Sequence, residues 1–238
     1  MTEASADGSA KSDRVVVELQ RRILVGEIPI GTWLRHGAIA EEFGVSRTPV
    51  REALRVLQAQ GIVTIARNRG ARVNGHSGRD IRELGEVRAE LEGLAAELAA
   101  DRIDNRQMDV MNKAWLSFET TIRDLATTGP EPTPAAGAQW AEANQMFHGA
   151  IIEASGNFQL MLSIDDLGRR LPRNASYTVY GRNSRLLQQN VDEHRAVADA
   201  IVRRDGAGAR EAMRAHIVSS AESMARWAED NARLREIQ

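Results

Sequence analysis

Apolar residues recur at helical spacing through most of the chain, and the pattern changes in one short region. From Asp13 to Val25, the residues Val16, Leu19, Ile23 and Leu24 share a face, with Asp13 placed to cap the start and Gly26 to end the run. Pro29 and Gly31 mark a loop, after which Ala38, Ile39, Ala40 and Phe43 form a short apolar face that stops at Gly44. A third helix is predicted from Arg47 to about Ala59, capped by Ser46 and stopped by Gly61, with Val50, Ala53, Leu54 and Leu57 facing inward. Two helices joined by the turn Gly44-Val45-Ser46-Arg47 read as a helix-turn-helix. The period then shortens: Ile62-Val63-Thr64-Ile65 and Ala71-Arg72-Val73 are β-prone and flank the basic turn Ala66-Arg67-Asn68-Arg69-Gly70, which predicts a small hairpin, or wing.

Asn74-Gly75-His76-Ser77-Gly78 reads as a linker, and beyond it helical periodicity returns over 79–102, 105–127, 135–155, 157–171, 184–204 and 207–235. The stretch Thr127 to Pro134 holds three prolines, cannot continue a helix, and predicts an exposed crossover. No self-similar period runs through the chain, which excludes a solenoid. The expected fold class is mainly α: a leader of residues 1–12 without fixed structure, a winged helix-turn-helix over 13–75, and an all-helical bundle over 79–236.

Charge sharpens this division. Residues 13–75 carry ten Arg or Lys against six Asp or Glu, net +4, whereas residues 76–238 carry twenty against twenty-five, net −5. A basic head on an acidic body suits a module that binds a polyanion. The chain has no cysteine, so disulfides, thiolate metal ligands and thiol nucleophiles are excluded, and a reducing cytoplasmic location is expected. Met1 to Ser12 has no apolar stretch of the kind a signal peptide needs, and no segment approaches the roughly 20 apolar residues that cross a bilayer, so no membrane partner is expected.

The third helix has the chemistry to read DNA. A helix fits the major groove, its first turns reach base edges, and basic neighbours clamp phosphates. Arg47 and Arg51 share a face, Thr48 adds a hydroxyl and a methyl, Arg35 precedes the second helix, and Arg67 and Arg69 tip the wing. Pro49 in the first turn loses no intrahelical hydrogen bond. The stretch from Phe43 to Leu57, followed by Gly61-Ile62-Val63, resembles the signature of GntR-type transcription regulators. That resemblance implies DNA contacts at Arg35, Arg47, Thr48, Arg51 and the wing residues Arg69 and Gly70, with Ser46 on a phosphate and Glu52 helping to hold the domain together.

In the second half, Asn144 and His148 stand four apart on one helical face, and His194 and His216 occupy two later helices. Imidazoles from several helices can converge on a metal, although spacing alone also fits ordinary core or surface histidines. The segments Glu86 to Glu92, Phe147-His148, Glu193 to Ala196 and Ala212 to Ile217 resemble the C-terminal domain of the FadR subfamily, the FCD type. Many such domains hold a divalent metal with three histidines and an aspartate, which implies His148, His194, His216 and position 144 as ligands for a metal such as zinc, nickel or manganese. Here position 144 is Asn, whose amide oxygen can ligate but carries no charge. The resemblance also implies a small organic acid as effector, with Arg88 facing the pocket; the competing role for Arg88 is an ion pair with Glu92, four residues on. It further implies a homodimer on a palindromic operator, acting as a repressor that ligand releases. Two alternatives are a metal-dependent hydrolase and a DNA-binding protein with a vestigial sensor.

Overall fold

The computed structural model describes residues 3–24, 27–29, 31–67, 69–74, 77–128, 133–168, 170, 175–180 and 183–236. Its contacts divide the chain into two compact units, whose main bodies are 1–77 for the first and 78–168 with 173–227 for the second. The expected linker and crossover fall partly outside the described residues, at 75–76 and 129–132.

The first unit runs α1 (Glu3–Leu24), β1 (Trp33–Leu34), α2 (His36–Phe43), α3 (Arg47–Ala59), β2 (Val63–Ala66) and β3 (Gly70–Val73). Helix α1 begins at Glu3, ten residues before the expected cap at Asp13, so the leader is helical from residue 3 onward. Residues 3–12 hold no proline and no β-branched residue, and a segment that extends an existing helix needs no new nucleus. Val15, Val16, Leu19 and Ile23 of α1 pack with Val50, Ala53, Leu54 and Leu57 of α3 in one core. Arg14 Nη2 donates to the Phe43 carbonyl across 2.9 Å, which ties α1 to the end of α2.

The wing is a three-stranded antiparallel sheet of order β1-β3-β2, not the expected hairpin alone. The strand β1 is two residues long, too short to show alternation, and it pairs Trp33 with Arg72 and Leu34 with Ala71. Gly70 is required where β3 meets β1. Its φ is +98°, and a Cβ there would collide with the Leu34 carbonyl oxygen.

The second unit is a bundle of α4 (Gly78–Arg102), α5 (Asn105–Thr128), α6 (Pro134–Ala154), α7 (Phe158–Gly168), α8 (Ala175–Tyr180), α9 (Ser184–Val202) and the part of α10 (Gly206–Glu236) up to Trp227. The short helix α8 was not expected; six residues are fewer than two full turns and carry little periodicity. Thr133 caps α6 by accepting from the Ala136 N–H, and Asn183 caps α9 by accepting from Leu186 N–H. Phe118, Trp140, Phe147, Ile151, Ile201 and Met213 are almost wholly buried and form the centre of the core. Small residues on α4 let α10 approach closely: Gly85 lies against Ala221, and a Cβ on Gly93 would stand 2.7 Å from Arg214 Cγ. Ion pairs of Arg82 with Glu222, Arg210 with Glu97 and Arg214 with Glu90 join the same two helices. Among the described residues, no helix is long and apolar enough to cross a membrane.

Candidate functional site

In the first unit, burying Pro49, Val50, Ala53, Leu54 and Leu57 leaves the opposite face of α3 to solvent. That face presents Arg47, Thr48, Arg51 and Arg55. Together with Arg35, at the N-cap of α2, and Arg67 and Arg69, at the turn of the wing, these arginines surround a groove of about 850 Å³. Among the described residues that line it, six are arginines and none is a carboxylate. Such a concentration of fixed positive charge on an exposed helix face and its flanking wing suits the polyanionic backbone of duplex DNA.

Thr48 is exposed beside this groove but does not line it. Ser46 is the N-cap of α3, yet its hydroxyl makes no cap hydrogen bond, so the capping role expected for it is absent and the hydroxyl remains exposed. Gly70 lines the groove through backbone and is otherwise buried, so its visible task is conformational. Glu52, expected to help hold the domain together, is exposed, and among the described residues its partner is Arg55 Nη1 on its own helix, at 2.9 Å. Arg67, expected at the tip of the wing, lines the basic groove, and so does Arg55, which was not among the expected contacts and whose i+4 spacing from Arg51 was the available signal.

In the second unit, His148 on α6, His194 on α9 and His216 on α10 converge. All three are buried, and one ligand atom from each lies within 4.8 Å of the others. Their ring centroids are 4.1 Å apart for His194 and His216, and 5.4 Å for each of the other two pairs. Phe118 and Phe147 press on His194 at 4.5 and 4.8 Å, which closes the cluster on its apolar side. Asn144 is half buried one turn before His148 on the same helix face.

The outer contacts orient these rings. His194 Nδ1 lies 2.7 Å from the Asn190 carbonyl oxygen, an acceptor, so Nδ1 carries the proton and Nε2 bears the lone pair. That Nε2 is buried without a hydrogen-bond partner among the described residues. His216 Nδ1 stands 3.1 Å from Glu193 Oε2 and is oriented in the same way. Burial, with His216 and His148 nearby, pushes the His194 imidazole well below its usual range; burial also lowers His216, partly offset by Glu193. Neutral imidazoles with inward lone pairs are what a divalent metal requires. The orphaned Nε2 and the donor set therefore fit such an ion.

Glu92, on α4, was expected only as a partner for Arg88. It is 1% exposed, and Arg88 donates to its Oε1 through Nε at 2.9 Å and Nη2 at 2.7 Å. Its other oxygen, Oε2, lies 2.9 Å from His148 Nδ1. The separation is that of an ion pair, and neither atom has a hydrogen-bond partner among the described residues. Burial alone would raise the Glu92 carboxyl, but Arg88 and His148 outweigh it and hold the group down to about 2. Glu92 falls on the buried stripe of Ala89, Gly93 and Ala96, and a carboxylate in such a stripe must have a charged partner. The sequence offers that signal for Glu92. It offers none that would select His148 as a second partner.

Both parts of the chain match known protein families. A family model described as bacterial regulatory proteins, gntR family, matches residues 11–73, and one described as FCD domain matches residues 83–219. The chain is 27% identical over 233 residues to the galactonate operon transcriptional repressor of Escherichia coli (strain K12), covering 88% of this chain and 95% of that protein. It is 28% identical over 207 residues to a probable D-xylose utilization operon transcriptional repressor of Paenarthrobacter nicotinovorans, covering 87% and 84%. The solved structure of E. coli McbR/YncC shares the fold, with a TM-score of 0.65 at 21% identity over 94% of this chain and 98% of that one.

Proposed function

The chain belongs to the GntR family of bacterial regulatory proteins and carries an FCD domain, and we propose on that premise a repressor released by a small carboxylate effector. The family and these relatives are transcription regulators, not enzymes, which removes the hydrolase alternative. In the proposed reading the chain is of the FadR subfamily, works in the cytoplasm, and divides into a DNA-binding head over 13–75 and a sensing and dimerising body over 79–236. Two heads of a homodimer meet the half-sites of an operator, with Arg47, Thr48 and Arg51 at base edges. Arg35, Arg69 and the Gly70 backbone lie at the flanking groove, and Ser46 at a phosphate.

A divalent metal held by His148, His194 and His216, with Asn144 as a neutral fourth ligand, sits in the body. Bound there, it would act as a Lewis acid that accepts a carboxylate oxygen. The observation that carries this reading is the set of three buried imidazoles on three helices, two of them with Nδ1 already engaged. The galactonate operon repressor is named for the operon of a sugar acid, which supports a carboxylate effector. Arg88 is about a fifth exposed, and its pair with Glu92 uses only Nε and Nη2, so its guanidinium can also meet an incoming anion. The effector acts by binding one arrangement of the dimer more tightly than the other, since equal affinity would shift nothing.

Elemental analysis of protein purified without an affinity tag or chelator tests the metal. About one divalent ion per chain is expected, lost in His148→Ala, by the linkage of ligand set and affinity. A chain that stays metal-free after incubation with zinc, nickel or manganese would refute the metal and leave direct capture of the acid by Arg88 and the histidines.

A further inference from the structure

Each of the three histidines has an oxygen close to its Nδ1, hydrogen-bonded for His194 and His216 and at ion-pair distance for His148. For His194 it is the Asn190 carbonyl, for His216 it is Glu193, and for His148 it is Glu92. We propose that Glu92 is an anionic positioning residue of the metal site, which fixes His148 in its Nδ1–H form and, with Glu193, provides the negative charge that Asn144 lacks. The inference rests on the metal reading given above and adds to it a residue that does not itself reach the metal.

The argument is one of sign. A neutral imidazole has a single N–H. Were that proton on Nε2, the Nδ1 lone pair of His148 would face a carboxylate oxygen at 2.9 Å, two acceptors in contact inside the protein. With the proton on Nδ1 the contact becomes attractive, and Nε2 is left to ligate. Ring torsions of histidine are soft, so the 2.9 Å contact can be brought into line without moving the backbone. Arg88 bonds Oε1 through two N–H donors and leaves Oε2 facing His148, so each carboxylate oxygen has its own task. Glu92 is not among the groups whose ligand atoms all lie within 4.8 Å of one another, which keeps it in the outer layer of the site. Outer carboxylates on ligating histidines raise their basicity, and two of them offset the dipositive ion that a neutral Asn144 leaves uncompensated.

The test is Glu92→Gln, which keeps the shape and an acceptor for Arg88 but removes the charge. Zinc binding followed by competition with a chromogenic chelator should weaken about 10- to 100-fold. Asn144→Asp should raise zinc affinity more in the Glu92→Gln background than in the wild type, a coupling that a purely structural role for Glu92 would not produce. Nitrogen-15 spectra of the wild-type apoprotein should show His148 protonated on Nδ1, and this readout needs no variant to fold. Zinc bound by Glu92→Gln as tightly as by wild type, or His148 protonated on Nε2 and not on Nδ1, would overturn the inference while leaving the metal site standing. Absence of zinc binding by the wild type would overturn both.

Discussion

Arg51 shows how much one side chain can be asked to do. It lies on the exposed face of α3, one turn after Arg47, and lines a groove with no carboxylate in its lining among the described residues. A guanidinium aimed at a guanine edge contributes about 1–3 kcal/mol of discrimination against the wrong base. Arg51→Ala should therefore lose roughly 10- to 100-fold in preference for operator over random DNA, measured by competition binding at fixed salt. Near-normal discrimination would mean that α3 does not read bases through this residue. Gly70 makes a different demand at the same groove. Its left-handed backbone and the Leu34 carbonyl beside it leave no room for a methyl group, so Gly70→Ala should destabilise the head by about 1–3 kcal/mol or more. The variant should unfold at lower urea, and a wild-type midpoint would show that β1 can move away without penalty.

At the scale of elements, stability and reading are carried by opposite faces of the same helix. Leu54 is wholly buried between α1 and the sheet residues, so Leu54→Ala should cost about 2–5 kcal/mol in urea unfolding and lower DNA binding only through the loss of folded head. Helix α1 is steadied by a charge cluster: Arg21 Nη2 and Arg22 Nε both donate to Glu18 Oε1, at 2.9 and 2.8 Å. The hydrogen bond from Arg21 leads in holding Glu18 down to about 2, against burial and with help from Arg22. A carboxyl whose folded value lies below its unfolded value stabilises fully above about 4.5, and that stabilisation fades as pH falls toward 2. The gap in unfolding free energy between wild type and Glu18→Gln should be open at pH 6, at about 1 kcal/mol for a side chain one third in water, and should narrow below pH 4.5. A gap that does not change with pH would remove Glu18 from this account. The elements that sequence shows well are those with a repeated period, such as α3 with Val50, Ala53, Leu54 and Leu57, or those with alternation flanked by glycine, such as β2 and β3. Two-residue β1 and six-residue α8 have too few positions to display a period. The histidines were visible as residues at helical positions, and their convergence came only from resemblance. Glu92 was visible only as an ion-pair partner for Arg88, four residues away, and its contact with His148 depends on how α4 packs on α6, which no local pattern encodes.

For the whole molecule, a head of net +4 and a body of net −5 mean that affinity for DNA resides in the arginines of the first unit and must fall steeply with salt. Each phosphate contact contributes about 0.9 to the slope of log affinity against log salt concentration. Arg67 sits at the turn of the wing and lines the groove, where a phosphate contact would affect all sequences alike. In a dimer with both heads engaged, Arg67→Ala should therefore flatten the salt slope by about 2, against about 1 for a single head, and weaken operator and random DNA by similar factors. Sedimentation equilibrium of the protein on an operator duplex gives the number of chains independently. A slope change near 2 with two chains per duplex fits the proposed homodimer with one Arg67 contact per head, whereas an unchanged slope would take Arg67 away from the phosphates, and one chain per duplex would remove the palindromic arrangement altogether.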